Sequence, residues 1–268
     1  MNQDAPTLHR LPGEWGQVGL RWAAGWWDVL QFGAQMLVLM LSMSSYRRGQ
    51  RRVVYGHLHA ATAPLLPGFV AISAVVSLVI IRIVVATAAS YGLTRYALDV
   101  LVRTLVIELL PLLVALFVAL RYTMPGGEQV AALRAQGQLK ALWLAGGDPA
   151  RDELLPRVLA GVFAVALLAA VSCVLALVLT YLTVYGFTLW GFAAYTRTVG
   201  QIFNPAATLI FALKALFFSL AVAILPIAPN QLHAGSASQR KRDNIGLLGR
   251  VFAVILLVEV LSLVGNYY

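Results

Sequence analysis

Residues 121–157, RYTMPGGEQVAALRAQGQLKALWLAGGDPARDELLPR, interrupt hydrophobic sequence on both sides. The stretch opens on a Pro125-Gly126-Gly127 breaker and runs through good helix formers. It stops at Gly146-Gly147-Asp148-Pro149, where glycine and proline end helices for different backbone reasons. Within it Val130, Leu133, Leu139, Leu142 and Leu144 alternate with Arg134, Gln136, Gln138 and Lys140. The expected helix over residues 128–145 therefore has one face to bury and one to keep wet. We read it as a short helix outside the bilayer, between two spanning ones, shaped to dock against a partner.

The rest of the chain explains why such a helix stands out. Of 268 residues, 60% are hydrophobic and only 12% charged, with a mean hydropathy of +0.80; soluble domains carry roughly a quarter charged residues. This is the composition of an integral membrane protein. A net charge of +9 in a soluble chain would point to nucleic acid, but here the arginines cluster beside apolar runs, where the positive-inside effect places them. No nucleic-acid partner is expected. The single cysteine, Cys173, lies in an apolar run and reads as a small packing residue.

Residues 1–25 do not read as a cleavable signal, because Pro12, Glu14 and Arg21 interrupt any apolar core. The segment from Trp22 to Met43 is long enough to span but carries Asp28, Gln31 and Gln35. It spans or lies flat. Trp22, Trp26 and Trp27 prefer the headgroup level, and Arg47, Arg48, Arg51 and Arg52 follow directly, which favours an interfacial elbow helix over about residues 22–44. Five spanning segments follow, near residues 63–89, 98–120, 158–185, 205–228 and 247–264. Loops are expected at 91–96, 186–201 and 230–244. The RRGQRR cluster, the 121–157 stretch and Arg240-Lys241-Arg242 fall on one side, against only Arg95 and Arg197 on the other. That side reads as cytoplasmic, as does the N-terminus, with the C-terminus outside. No internal repeat is visible, and residues 1–268 read as one all-α membrane domain.

No enzyme is legible. A phosphate-binding loop needs Gly-Lys followed by Ser or Thr, but the three lysines are followed by Ala141, Ala215 and Arg242. His57 and His59, two apart with no Cys, Asp or Glu close in sequence, read as interfacial hydrogen-bonding groups rather than metal ligands. Charges inside the spans carry more information, since each is costly in hydrocarbon. They are Arg82, Arg103, Glu108, Lys214 and Glu259. Glu108 lies one turn before Pro111, a proline that frees a backbone carbonyl and makes a place for a polar pocket. Glu108 is either a functional pocket group or half of a structural ion pair; Arg82 on the preceding span is its expected partner, and Arg103 points away from it. Lys214 and Glu259 are expected to pair as helix glue between the last two spans.

The motifs also resemble a known family. ALWLAGGDPARDELLPRVLA, with Gly146, Asp148, Pro149, Pro156, Arg157 and Ala160, is similar to the segment that follows the coupling helix in the MlaE/YrbE family of ABC-transporter permeases. IELLP at 107–111 resembles that family's Arg-Glu-Leu-Gly-Pro motif, keeping Glu108 and Pro111 but not its arginine and glycine. Arg121, Lys214 and Glu259 match further family positions, so the resemblance covers about residues 20–265. Two departures face the cytoplasmic side. Gly137 precedes Gln138 where the family has a Glu-Gln pair, in a helix where glycine costs about 1 kcal/mol against alanine, and AGSASQRKRDN replaces a glycine-rich Ala-Thr-Thr loop.

The resemblance implies a divergent permease subunit of an ATP-driven lipid transporter in a bacterial inner membrane, with an elbow helix, five spans and a cytoplasmic coupling helix. It implies an ABC ATPase subunit below and a periplasmic MCE-domain protein above as the lipid conduit. It also implies a second permease copy in a homodimer or divergent heterodimer; a STAS-domain subunit is a further candidate. Phospholipid or a related lipid would be the cargo, and no cofactor is expected. Leu133, Arg134, Gln138, Leu142, Gly146, Asp148 and Pro149 would couple to the ATPase; Glu108, Arg82 and Pro111 would line the lipid cavity. Closure of the ATPase would push residues 128–145 inward and squeeze that cavity. Two other classes remain open: an ion-coupled secondary transporter using Glu108 and Glu259, and a scaffold that only holds partners.

Overall fold

The computed structural model describes residues 11–42, 48–229 and 237–267, and contains no strand among them. Residues 1–10, Arg47 and residues 230–236, on which parts of the charge reading rest, lie outside the described residues. The elements in order are α1 (Leu11–Leu41), α2 (Arg48–Thr62), α3 (Leu66–Ser90) and α4 (Thr94–Leu101). After a π-helical stretch (Val102–Leu109) come α5 (Leu110–Val118), a second π stretch (Ala119–Thr123), α6 (Met124–Ala135) and α7 (Gln138–Leu144). A third π stretch (Ala150–Leu154) leads into α8 (Leu155–Tyr185), then α9 (Phe192–Ile202), α10 (Pro205–Ile224) and α11 (Ala237–Tyr267).

Five helical runs are long and apolar enough to cross a membrane: Arg52–Ser90, Tyr96–Ala135, Ala150–Tyr185, Pro205–Ile224 and Asp243–Gly265. The chain is an all-α integral membrane protein. The run Tyr96–Ala135 has 40 residues, and at 1.5 Å per residue it is ~60 Å long, twice the ~30 Å of a hydrocarbon core. The run is thus longer than one crossing needs, and α6 forms its C-terminal end, with α7 following.

Prolines explain how so long a run stays helical. Each π stretch ends two residues before a proline: Leu109 before Pro111, Thr123 before Pro125, Leu154 before Pro156. Proline lacks an amide and its ring crowds the carbonyl four residues back; a π turn inserts one residue and relieves both problems locally. The Pro125-Gly126-Gly127 breaker expected from sequence thus breaks nothing, because the π turn over Ala119–Thr123 accommodates Pro125 and the helix continues into α6.

The expected single helix over 128–145 is also corrected. Gly137 lies between α6 and α7 at φ +72°, and Gly146 ends α7 at φ +83°. Both take the left-handed conformation that only glycine enters without steric cost. The Gly137 amide donates to the Arg134 carbonyl, and the Gly146 and Gly147 amides donate to Trp143 and Leu142 in the two-bond pattern that closes a helix C-terminus. Gly137 is no flaw in a helix; it is the break. Two of the expected loops are helical in part: α9 occupies most of 186–201, and the described part of 230–244, residues 237–244 with Arg240-Lys241-Arg242, belongs to α11.

Helix α8 forms the centre of the bundle, packed against α2, α3, α5 and α10. Its buried face interleaves Val158, Val165 and Leu168 with Ala160, Gly161, Ala164, Ala169, Ser172 and Ala176, small residues that let backbones approach in a medium without a hydrophobic drive between helices. A Cβ on Gly161 would meet Ala223 and Thr123 at 3.1 Å. Helix α1 lies against α8 and α10 through buried Val29, Phe32 and Met36, and is not one of the five spans. At the end opposite α7, Phe187 and Trp190 are exposed, as suits a headgroup-level belt.

Candidate functional site

Three spans meet at Lys214. Its ammonium, 0% exposed at the side chain, is 2.8 Å from Glu259 Oε2 on α11 and also pairs with Glu108 Oε2 on the first π stretch. It donates at 3.3 Å to the carbonyl of Ile107 and lies 5.7 Å from the Phe218 ring centroid. Ile107 is the residue four before Pro111, so the lysine reaches the carbonyl that an α-helical amide at position 111 would otherwise have bonded. One ammonium faces two carboxylates, and Glu108 Oε1 is buried with no hydrogen-bond partner among the described residues.

Sequence reasoning anticipated half of this arrangement. Lys214 and Glu259 do pair across the last two spans. Glu108 does not pair with Arg82, whose side chain is exposed on α3; it joins the Lys214 pair instead. Arg103 turns to Asp99 one turn back, at 3.2 Å, and so plays no part in the cluster. Pro111 is buried beside it. Periodicity within one helix excluded Arg103 but held no information about which helix faces Glu108.

A second feature opens beside the cluster. A cavity of ≈ 310 Å³ between α10 and α11 is walled by Ile210, Leu213, Phe217, Val258, Leu261 and Gly265, with Lys214 and Ser262 as its two polar side chains. Nothing in the sequence marked this groove beyond Lys214, since its walls are ordinary span residues.

The third feature is the projection at the far end. Helix α6 buries Met124, Gly127, Val130 and Ala131, whereas α7 buries nothing. Gln138 and Lys140 are exposed there; Trp143 is 66% and Leu144 70% exposed. Leu133 is half-buried, and Leu142 folds back over Gly147, where a Cβ would come within 2.9 Å of its Cδ1. Arg134 also points inward: its Nη2 donates to the Ile227 carbonyl at 2.7 Å and its Nη1 to Ala228 at 3.2 Å.

Past Gly146, Asp148 Oδ1 accepts from the Ala150 amide at 3.1 Å, the Asp148 amide donates to Asp152 at 3.2 Å, and Pro149 opens the next helical turn. This reciprocal cap explains the Gly-Gly-Asp-Pro order physically: stop, turn, cap, restart. Asp148→Ala is expected to cost about 1 kcal/mol in thermal unfolding of the detergent-solubilised protein, and Asp148→Asn, which keeps the acceptor, much less.

Five apolar helical runs, three of them meeting at a buried ion cluster, define a multi-pass membrane protein. The family model for the MlaE permease matches residues 54–264, and the chain belongs to that family. No curated protein matches it at a significant level.

Proposed function

We propose that this chain is the transmembrane subunit of an ATP-driven ABC transporter that moves phospholipid or a related lipid between the inner membrane and a periplasmic MCE-protein conduit. The observation that carries this reading is α7, a short helix bounded by left-handed glycines at both ends and burying none of its residues, which suits a helix lying outside the apolar slab. Exposed Trp143 and Leu144 beside Gln138 and Lys140 suit a groove on a partner rather than water. That partner would be the ATPase, since the chain has no phosphate-binding loop of its own, and the α7 end would be cytoplasmic. The apolar groove between α10 and α11, next to a charged cluster, suits an amphipathic cargo. A second permease copy would complete the assembly.

The test is purification in mild detergent from the native membrane. The wild-type chain should carry a P-loop ATPase and an MCE-domain protein, and Trp143→Asp with Leu144→Asp should release the ATPase while the helical content is kept. If the wild type emerges alone, the permease reading fails. Ion-coupled transport is then favoured by a specific observation, the two carboxylates facing one lysine in the spans.

A further inference from the structure

We infer that Arg134 is a positioning residue that locks the projecting α6–α7 unit to α10, so that displacement of α7 is delivered to the span bearing Lys214; this rests on the reading of α7 given above. The family resemblance placed Arg134 at the surface that meets the ATPase. Its guanidinium lies on the other side. It bonds two successive carbonyls, Ile227 and Ala228, in the turn that follows the end of α10 at Ile224. These two carbonyls lie three and four residues past the helix, in a buried turn that offers them no helical amide, so a forked cation with several donors is the side chain best matched to them. Both residues that accept are buried, at 2% and 1% exposure.

The grip has a second point. Gly127, two helical turns before Arg134 on the same face of α6, meets Pro226, where a Cβ would fall on the carbonyl oxygen and 3.0 Å from the carbonyl carbon. Val130 and Ala131 fill the space between, both buried. Helix α6 is therefore seated on the 225–228 turn along two turns of its length, while α7, attached through Gly137, touches nothing comparable. Lys214 lies ten residues before Ile224 in the same helix, ~15 Å along its axis. A helix is stiff over that distance, and hydrogen bonds on both sides of Gly137, from its amide to Arg134 and from the Ala141 amide to its carbonyl, hold α7 to α6. Motion applied at α7 reaches α10 through α6, and the guanidinium closes that route.

Spin labels at Leu144→Cys on α7 and Leu216→Cys on α10, in a Cys173→Ala background, test the lock without any ATPase. A single narrow distance distribution is expected with Arg134, a broad one in Arg134→Gln, and an intermediate one in Arg134→Lys, whose ammonium reaches one carbonyl. A narrow distribution in Arg134→Gln, or a broad one with Arg134 present, overturns the inference. In the complete complex reconstituted in liposomes, the lipid moved per ATP hydrolysed should fall about tenfold in Arg134→Gln and recover in part in Arg134→Lys. Misfolding would lower both quantities together and leave their ratio unchanged, and an unchanged ratio overturns the inference. Absence of any ATP-dependent movement with Arg134 present would instead sink the permease reading, which the label distances do not depend on.

Discussion

Replacing Lys214 by methionine should destabilise the protein by about 3–5 kcal/mol, because removing one partner of a buried ion cluster leaves charge without compensation. Two carboxylates, Glu108 and Glu259, would then face each other in the spans, with Glu108 Oε1 already lacking a donor. The carbonyl of Ile107 would lose its donor as well. The diagnostic comparison is a triple variant, Glu108→Gln, Lys214→Met and Glu259→Gln, which removes all three charges. Neutral replacement of a whole buried cluster is commonly close to neutral in stability, so the triple variant should recover most of what Lys214→Met loses. Thermal unfolding in detergent separates the two. A Lys214→Met protein as stable as wild type would contradict the cluster. The triple variant also asks what the cluster is for: retained stability with lost lipid transfer would assign it to transport rather than to holding helices together.

The second large effect is expected at Gly127. Glycine inside a helix ordinarily costs about 0.5–1 kcal/mol against alanine, and at Gly126, where nothing lies within 4 Å of an added Cβ, alanine should raise stability by that amount. At Gly127 the same change drives a methyl group onto the Pro226 carbonyl, backbone that cannot rotate away. Gly127→Ala should therefore lower stability by about 1–3 kcal/mol, the usual cost of overpacking, and Gly127→Val by more. Adjacent glycines in one helix are thus expected to respond with opposite signs in the same thermal-unfolding measurement. Equal responses would mean that α6 does not sit on the 225–228 turn.

Neither of these effects is legible in the sequence, where Gly126 and Gly127 are indistinguishable and Lys214 has two acidic candidates. The same limit explains Arg82. Pairing it with Glu108 used proximity along the chain, the only proximity a sequence offers, and the packing of α10 and α11 against the first π stretch placed a different cation there. Arg134 shows a subtler limit. Its position in a docking helix was legible, but α6 has two sides, and the side that buries its polar residue was decided by unpaired carbonyls more than ninety residues further on.

What the sequence determined by itself was whatever obeys a local criterion. Hydrocarbon thickness imposes one on each span, a minimum length of apolar residues, so all five spans and the projecting stretch could be read one window at a time. The Gly-Gly-Asp-Pro turn is local for the same reason, its bonds closing within a few residues. Only the tertiary structure decided which of α6's glycines touches a neighbour, which acids share Lys214, and that Gly137 breaks a helix rather than weakening one. Those outcomes depend on groups brought together by packing, where a buried charge or an unpaired carbonyl takes whichever partner the neighbouring helix presents.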